Sequence, residues 1–165
     1  MCGIAGQIGF DQDLRTQTET IKKMQAALQR RGPDQEGLFL SEHALLAHTR
    51  LSVIDLENGR QPMSARQGAR TCTLIYNGEL YNAGQLRREL QALGWVFAGH
   101  SDTEVLLKSY MEWGAACLPR LNGIFAFAIW EEAAQTLFLA RDHMGVKPLF
   151  FSLLPEGGLV FASEL

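Results

Sequence analysis

The stretch IFAFAIWEEAAQTLFLARD, residues 124–142, reads as two β-strands joined by a polar turn: one apolar and aromatic run ends at Trp130, and a second begins after Gln135. So short a connection returns the chain antiparallel to itself. Downstream, KPLFFSLL (147–154) and GLVFAS (158–163) repeat the pattern as another strand pair. Upstream stand two helical segments. SDTEVLLKSYMEWG (101–114) opens with a Ser-x-x-Glu capping box, Ser101 to Glu104, and AGQLRRELQALGW (83–95) ends at Gly94. A second short helix is expected over 115–121. TCTLIYNGELYN (71–82) has strand character up to Asn77-Gly78, a pair that favours a tight turn. ENGRQPMSARQGAR (57–70) is polar and turn-rich, and reads as a loop.

The N-terminal third continues the theme. CGIAGQIGF (2–10) reads as a buried strand. TQTETIKKMQAALQRR (16–31) places Ile21, Met24 and Leu28 on one helical face, with a threonine available as N-cap, and RGPDQEG (31–37) stops it. GLFLS (37–41) and HALLAHTRLSVID (43–55) are the next strands. Strands, then helices, then strands, with hairpin-length links, do not suit parallel βαβ winding. They suit an α+β fold: a four-layer αββα sandwich of two stacked, mainly antiparallel sheets flanked by helices.

The composition sets limits. With 165 residues, 47% hydrophobic and 20% charged, the chain suits one packed domain and not a disordered segment. A net charge of -3 with scattered cations gives no basic surface for nucleic acid. Apolar runs are too short to span a bilayer, and no secretory signal heads the chain. The three cysteines, at 2, 72 and 117, do not make a disulfide framework, which points to a reducing, cytoplasmic setting. No spacing of cysteines or of the four histidines (43, 48, 100 and 143) suggests a metal site, and each histidine reads as a packing, capping or surface residue. Trp95, Trp113 and Trp130 read as packing residues, and Cys72 and Cys117 as small core residues.

Cys2 follows the initiator methionine. Loss of Met1 would put a thiol and a free α-amine on one residue, with ordinary pKa values of about 8.5 and about 7.7–8, close enough for proton transfer between them. Taken alone, Cys2 reads more readily as a chance cysteine near the start, an inert buried thiol.

MCGIAG, RGPDQEG, HTRLSVID, YNGELYN, SDTEV, NGIFAFAIW and RDHMGVKPLFF, in this order, together resemble the class II glutamine amidotransferases, of the N-terminal-nucleophile hydrolase fold. The resemblance is nearest to the glutaminase domain of glutamine-hydrolysing asparagine synthetases and spans Met1 to Leu165. HTRLSVID and RGPD separate this group from glucosamine-phosphate synthases and amidophosphoribosyltransferases. The resemblance implies that Cys2 attacks the side-chain amide of L-glutamine, and that ammonia leaves a γ-glutamyl thioester which water hydrolyses. Asn77 and Gly78 match the oxyanion hole, and both supply neutral N–H donors suited to it. Arg50 matches the residue that holds the substrate carboxylate, and Asp102 the one that pairs with its ammonium. Glu79 lies in the same binding segment, and Leu51, Ser52, Val53 and Ile54 match backbone contacts to substrate. Asp102 also suits a plain helix-terminal carboxylate. Arg31, Gly32, Pro33 and Asp34 suit either a loop beside the pocket or a simple turn, and Arg141, Asp142 and Lys147 read as a structural ion pair and turn.

The resemblance implies no cofactor in this domain. ATP and magnesium belong to a C-terminal synthetase domain with a Ser-Gly-Gly-x-Asp-Ser motif that these 165 residues lack. That domain would be the partner that receives ammonia, and relatives pair, so a homodimer is a further expectation. Two alternatives stay open: a non-catalytic module that senses glutamine or contacts a partner, and an ammonia donor for amidation of an acceptor other than aspartate.

Overall fold

The run at 124–142 folds as β6 (Gly123–Glu131) and β7 (Thr136–Arg141), with Gln135 at φ 49° in the turn between them. They belong to a four-stranded sheet completed by β4 (Met63–Gln67) and β5 (Arg70–Leu80), in the order β4-β5-β6-β7. A five-stranded sheet holds β1 (Gly3–Ile8), β2 (Gln35–Leu40), β3 (Ala44–Arg50), β8 (Phe150–Leu153) and β9 (Leu159–Ala162), in the order β2-β3-β1-β9-β8. All pairings between these strands are antiparallel. The computed structural model describes residues 1–51, 59–155 and 157–165.

Side chains alternate across a strand, and that period of two sorts the core into layers. Ile4, Leu46 and Phe161 face Ile75, Ala128 and Trp130 between the sheets. Their neighbours Ala5, Leu45 and Ala47 face the other way, onto Leu14, Ile21 and Leu28. Ile21 lies on α1 (Thr18–Ala27). On the far side of the second sheet, Leu74, Phe127 and Ile129 pack against α2 (Ala83–Ala92) and α3 (Asp102–Trp113). The outcome is the expected αββα sandwich. β1 is buried along its whole length because both of its faces are covered.

Several local expectations need correction. The polar segment 57–70 contains β4, an edge strand whose exposed Ser64 and Arg66 alternate with half-buried Met63 and Ala65; exposure of one face hid its period. Asn77-Gly78 is not a turn: β5 runs through it, pairing Asn77 with Ala126 and Gly78 with Phe125, because β6 supplies partners for its full length. No threonine caps the first helix. A 3-10 turn at Leu14–Gln17 precedes α1, and Asp13 caps that turn through a hydrogen bond from Arg15 N. Only half of the capping box forms. Ser101 accepts from Glu104 N at 3.3 Å, whereas the Glu104 carboxylate accepts from Ala98 N, Gly99 N and Lys108. The segment after α3 is a 3-10 helix, Gly114–Arg120, interrupted by Pro119. The tryptophans and the two later cysteines do pack: Trp130 is fully buried, and burial pushes the Cys72 and Cys117 thiols up to about 11.

His48 ties the sheets together. It points inward from β3, and its Nε2–H donates to the Tyr76 carbonyl of β5 at 3.2 Å. Burial, aided by the charge of Arg50 and opposed by that hydrogen bond, pushes its pKa down to about 4. Below the ordinary histidine value the unfolded chain gains a proton that the folded one refuses. Stability is therefore complete above about pH 6.5 and falls as the pH drops from there toward 4. Urea melts should show a loss on the order of 2 kcal/mol by pH 5, and His48→Gln should lack that acid-sensitive part. Phe161→Ala, which empties the layer between the sheets, should destabilise the domain by about 3–5 kcal/mol in the same assay at neutral pH.

Candidate active site

Ends of β1, β3 and β5 and the start of α3 meet at one end of the sandwich. They line a cleft of about 230 Å³ that contains Cys2, Arg50, Leu51, Asn77, Gly78, Glu79 and Asp102. Ser52, Val53 and Ile54 lie outside the described residues.

Cys2 stands just before β1, beside β3 through the Gly3–Thr49 pair. Its thiol is partly exposed and donates to the Leu51 carbonyl at 3.8 Å. Its own carbonyl accepts from Arg31 Nε at 3.0 Å, and Arg31 Nη1 pairs with Glu164 at 2.8 Å. Arg31 thus does more than shape a turn: it holds the backbone of the candidate nucleophile and links it to the residues after β9. Gly32 makes this approach feasible, because a Cβ there would overlap the Thr49–Arg50 backbone. With Met1 attached, the Cys2 nitrogen is a peptide nitrogen. Met1 itself lines the cleft, where Lys147 Nζ donates to its Sδ at 3.2 Å.

Across the cleft, β5 presents Asn77 and Gly78 on opposite faces. Asn77 shares the inward direction of Ile75 and is 2% exposed. Its Nδ2 has no hydrogen-bond acceptor among the described residues. A buried amide donor left so costs about 1–3 kcal/mol, and such a donor is what a developing oxyanion would engage. Gly78 keeps an extended backbone. A Cβ on it would overlap the Ile124 carbonyl oxygen and stand 2.6 Å from Tyr76 Cε2.

The charged residues occupy the rim and wall. Arg50 is 5% exposed and donates through Nη1 to Gln35 Oε1 at 2.8 Å, which fixes one edge of its planar fork. Asp102 is not the helix cap; Ser101 is. The Asp102 carboxylate turns instead to β5, where Oδ2 accepts from the Tyr76 hydroxyl at 2.9 Å and from Leu80 N at 3.0 Å. Burial, with Asp102 beside it, pushes the Tyr76 phenol well above its usual range and keeps it a donor. Glu79 is exposed at the mouth.

Two contributors were not singled out in the sequence, and a third was assigned another role. Tyr76 precedes Asn77 but carries no signal of its own. Gln61 lies in the segment read as a loop, yet its Oε1 accepts from Tyr76 N at 2.6 Å and it lines the cleft. Lys147 was expected in an ion pair with its neighbours. Asp142 instead accepts backbone N–H groups of Phe125, Val146 and Lys147, which hold its carboxyl low against the opposing effect of burial, and Arg141 donates to the Gly145 carbonyl. The turn is real; the ion pair is not. Lys147 enters the cleft because this turn tucks its backbone against Asp142.

The geometry agrees with comparisons to known proteins. A family model described as a glutamine amidotransferase domain matches residues 1–165. Asparagine synthetase [glutamine-hydrolyzing] 3 of Bacillus subtilis is 49% identical over 166 residues, covering 100% of this chain and 27% of that protein. Asparagine synthetase B [glutamine-hydrolyzing] of Escherichia coli is 38% identical over 169 residues, covering 100% of this chain and 29% of that one. The chain thus spans little more than a quarter of the length of these relatives. Among solved structures, the glutamine phosphoribosylpyrophosphate amidotransferase of B. subtilis, complexed with ADP and GMP, superposes with a TM-score of 0.78 at 26% identity, over 98% of this chain and 42% of that one. Fold, cleft and sequence agree: the chain belongs to the glutamine amidotransferase domain family.

Proposed function

We propose that, once Met1 is removed, Cys2 hydrolyses L-glutamine to L-glutamate and ammonia through a γ-glutamyl thioester. The observation that carries this reading is the buried Asn77 Nδ2, without an acceptor among the described residues, on the same cleft as the Cys2 thiol. The thiolate adds to the amide carbon, and the oxyanion takes hydrogen bonds from Asn77 Nδ2 and the Gly78 N–H. The Cys2 α-amine accepts the thiol proton and returns it to the leaving nitrogen. Ammonia departs, and water then cleaves the thioester, with the amine again as base. Arg50 suits the substrate carboxylate, while Asp102, with Glu79 at the mouth, suits its ammonium. Opposite charges on one cleft select the amino-acid end of glutamine over simple amides.

The ammonia would serve ATP-dependent amidation of aspartate in a following synthetase domain. The support is the naming of the relatives and the share of their length that this chain spans. ATP and magnesium would act in that domain. A cytoplasmic setting is favoured by cysteines that are all free thiols. No helix among the described residues is long and apolar enough to cross a membrane.

Two measurements test the reading. Intact-mass analysis of material freed of Met1, treated with a glutamine analogue that carries an electrophilic ketone, should show one covalent adduct. Cys2→Ala and Met1-retaining protein should show none; an adduct in the first would remove the Cys2 thiol from the mechanism, and an adduct in the second would remove its free amine. In steady-state kinetics, Asn77→Ala should lower kcat by about 10²–10³-fold, the usual effect of deleting one oxyanion donor.

A further inference from the structure

Tyr76 joins parts of the cleft that chain distance separates. It is 2% exposed, on β5, with its ring on the face covered by α3. Its backbone is held at both polar groups: the N–H donates to Gln61 Oε1 at 2.6 Å, and the carbonyl accepts from His48 Nε2 at 3.2 Å. Its ring lies beneath Gly78, where a Cβ would come within 2.6 Å of Cε2. Its hydroxyl reaches the first residue of α3 and donates to Asp102 Oδ2 at 2.9 Å. Leu80 N meets the same oxygen at 3.0 Å. Two donors from β5 therefore converge on one carboxylate oxygen, and Oδ1 is the oxygen they do not use.

A carboxylate at the start of a helix has several accessible rotamers, and one that caps its own helix would turn toward the α3 backbone. Here Ser101 takes that role, and Asp102 is drawn across to the sheet. We propose that Tyr76 is a positioning residue for recognition of the α-amino group of the substrate, its hydroxyl fixing the Asp102 carboxylate toward the cleft. The inference rests on the reading of Asp102 as the ammonium partner. It makes the discrimination between glutamine and a plain amide depend on a phenol that does not itself bind the ammonium. The same side chain supports the Gly78 backbone through its ring, so ring and hydroxyl have separable duties.

Tyr76→Phe separates them, because it keeps the ring and deletes only the oxygen. The test compares glutamine with 4-carbamoylbutanoate, the same molecule without its α-amino group, as substrates of Met1-free protein. For Tyr76→Phe, KM for glutamine should rise about tenfold, the scale of one hydrogen bond to a charged group, while kcat and the kcat/KM for 4-carbamoylbutanoate stay within about twofold. An equal fall in kcat/KM for both substrates, or an unchanged glutamine KM, would overturn the proposal. Turnover of glutamine by the wild-type protein reports on the hydrolytic reading alone. Should it be absent, calorimetric binding of glutamine to Cys2→Ala and to Cys2→Ala/Tyr76→Phe decides: about tenfold weaker binding to the second supports the role of Tyr76, and equal or undetectable binding to both overturns it.

Discussion

The close approach of β5 to β6 at Gly78 is the constraint on which the rest of the site depends. A side chain at this position would overlap the Ile124 carbonyl and meet the Tyr76 ring, so the strand pair continues through Asn77-Gly78 only because position 78 has no Cβ. Continuity of β5 sets everything downstream. It directs Asn77 inward, keeps the Gly78 backbone straight, and places Leu80 N where it reaches Asp102. A turn at this point would have sent Asn77 and Asp102 to different surfaces.

Three buried polar side chains lie in or beside the cleft, toward the ends of β3 and β5. Arg50, Asn77 and His48 are each at most 5% exposed. Arg50 donates to Gln35 and His48 to Tyr76, whereas the Asn77 amide donor has no acceptor among the described residues. Burial of an unpaired donor works against stability, and the surrounding layers offset it: Trp130, Phe127 and Phe161 are among the largest fully buried side chains. Arg31 adds a second kind of support. It binds the Cys2 carbonyl and Glu164 together, so the segment after β9 and the start of β1 hold one another.

Legibility followed exposure and range. Elements with a strong period were readable: the buried run of β6, the apolar faces of α1 and α3, and Gly94, which takes φ 96° just beyond α2. β4 was not, because an edge strand with one wet face carries too little apolar signal over five residues. The Asn-Gly pair misled for a clear reason. The dipeptide is compatible both with a tight turn and with a crowded strand, and only a partner from a distant part of the chain chooses between them. Cys2, Arg50, Asn77, Gly78 and Asp102 were expected in one site from residue type and motif, and they line one cleft. Gln61, Tyr76 and Lys147 were not expected there, since their contributions arise from contacts at separations of up to 146 residues.

The sequence by itself determined the chemistry available to this protein: a thiol one residue from the start, one guanidinium and a few carboxylates suited to an amino acid, and neutral donors for an oxyanion. It also determined the layered fold, because alternation along the strands and helical spacing leave few other ways to bury the apolar faces. Only the tertiary structure decided which oxygen of Asp102 is held, that Asn77 and Lys147 line the same cleft as Cys2, and that Arg31 binds the Cys2 backbone. Those outcomes depend on hydrogen bonds and close approaches between strands and helices far apart in the chain, and no local pattern of residues encodes their direction.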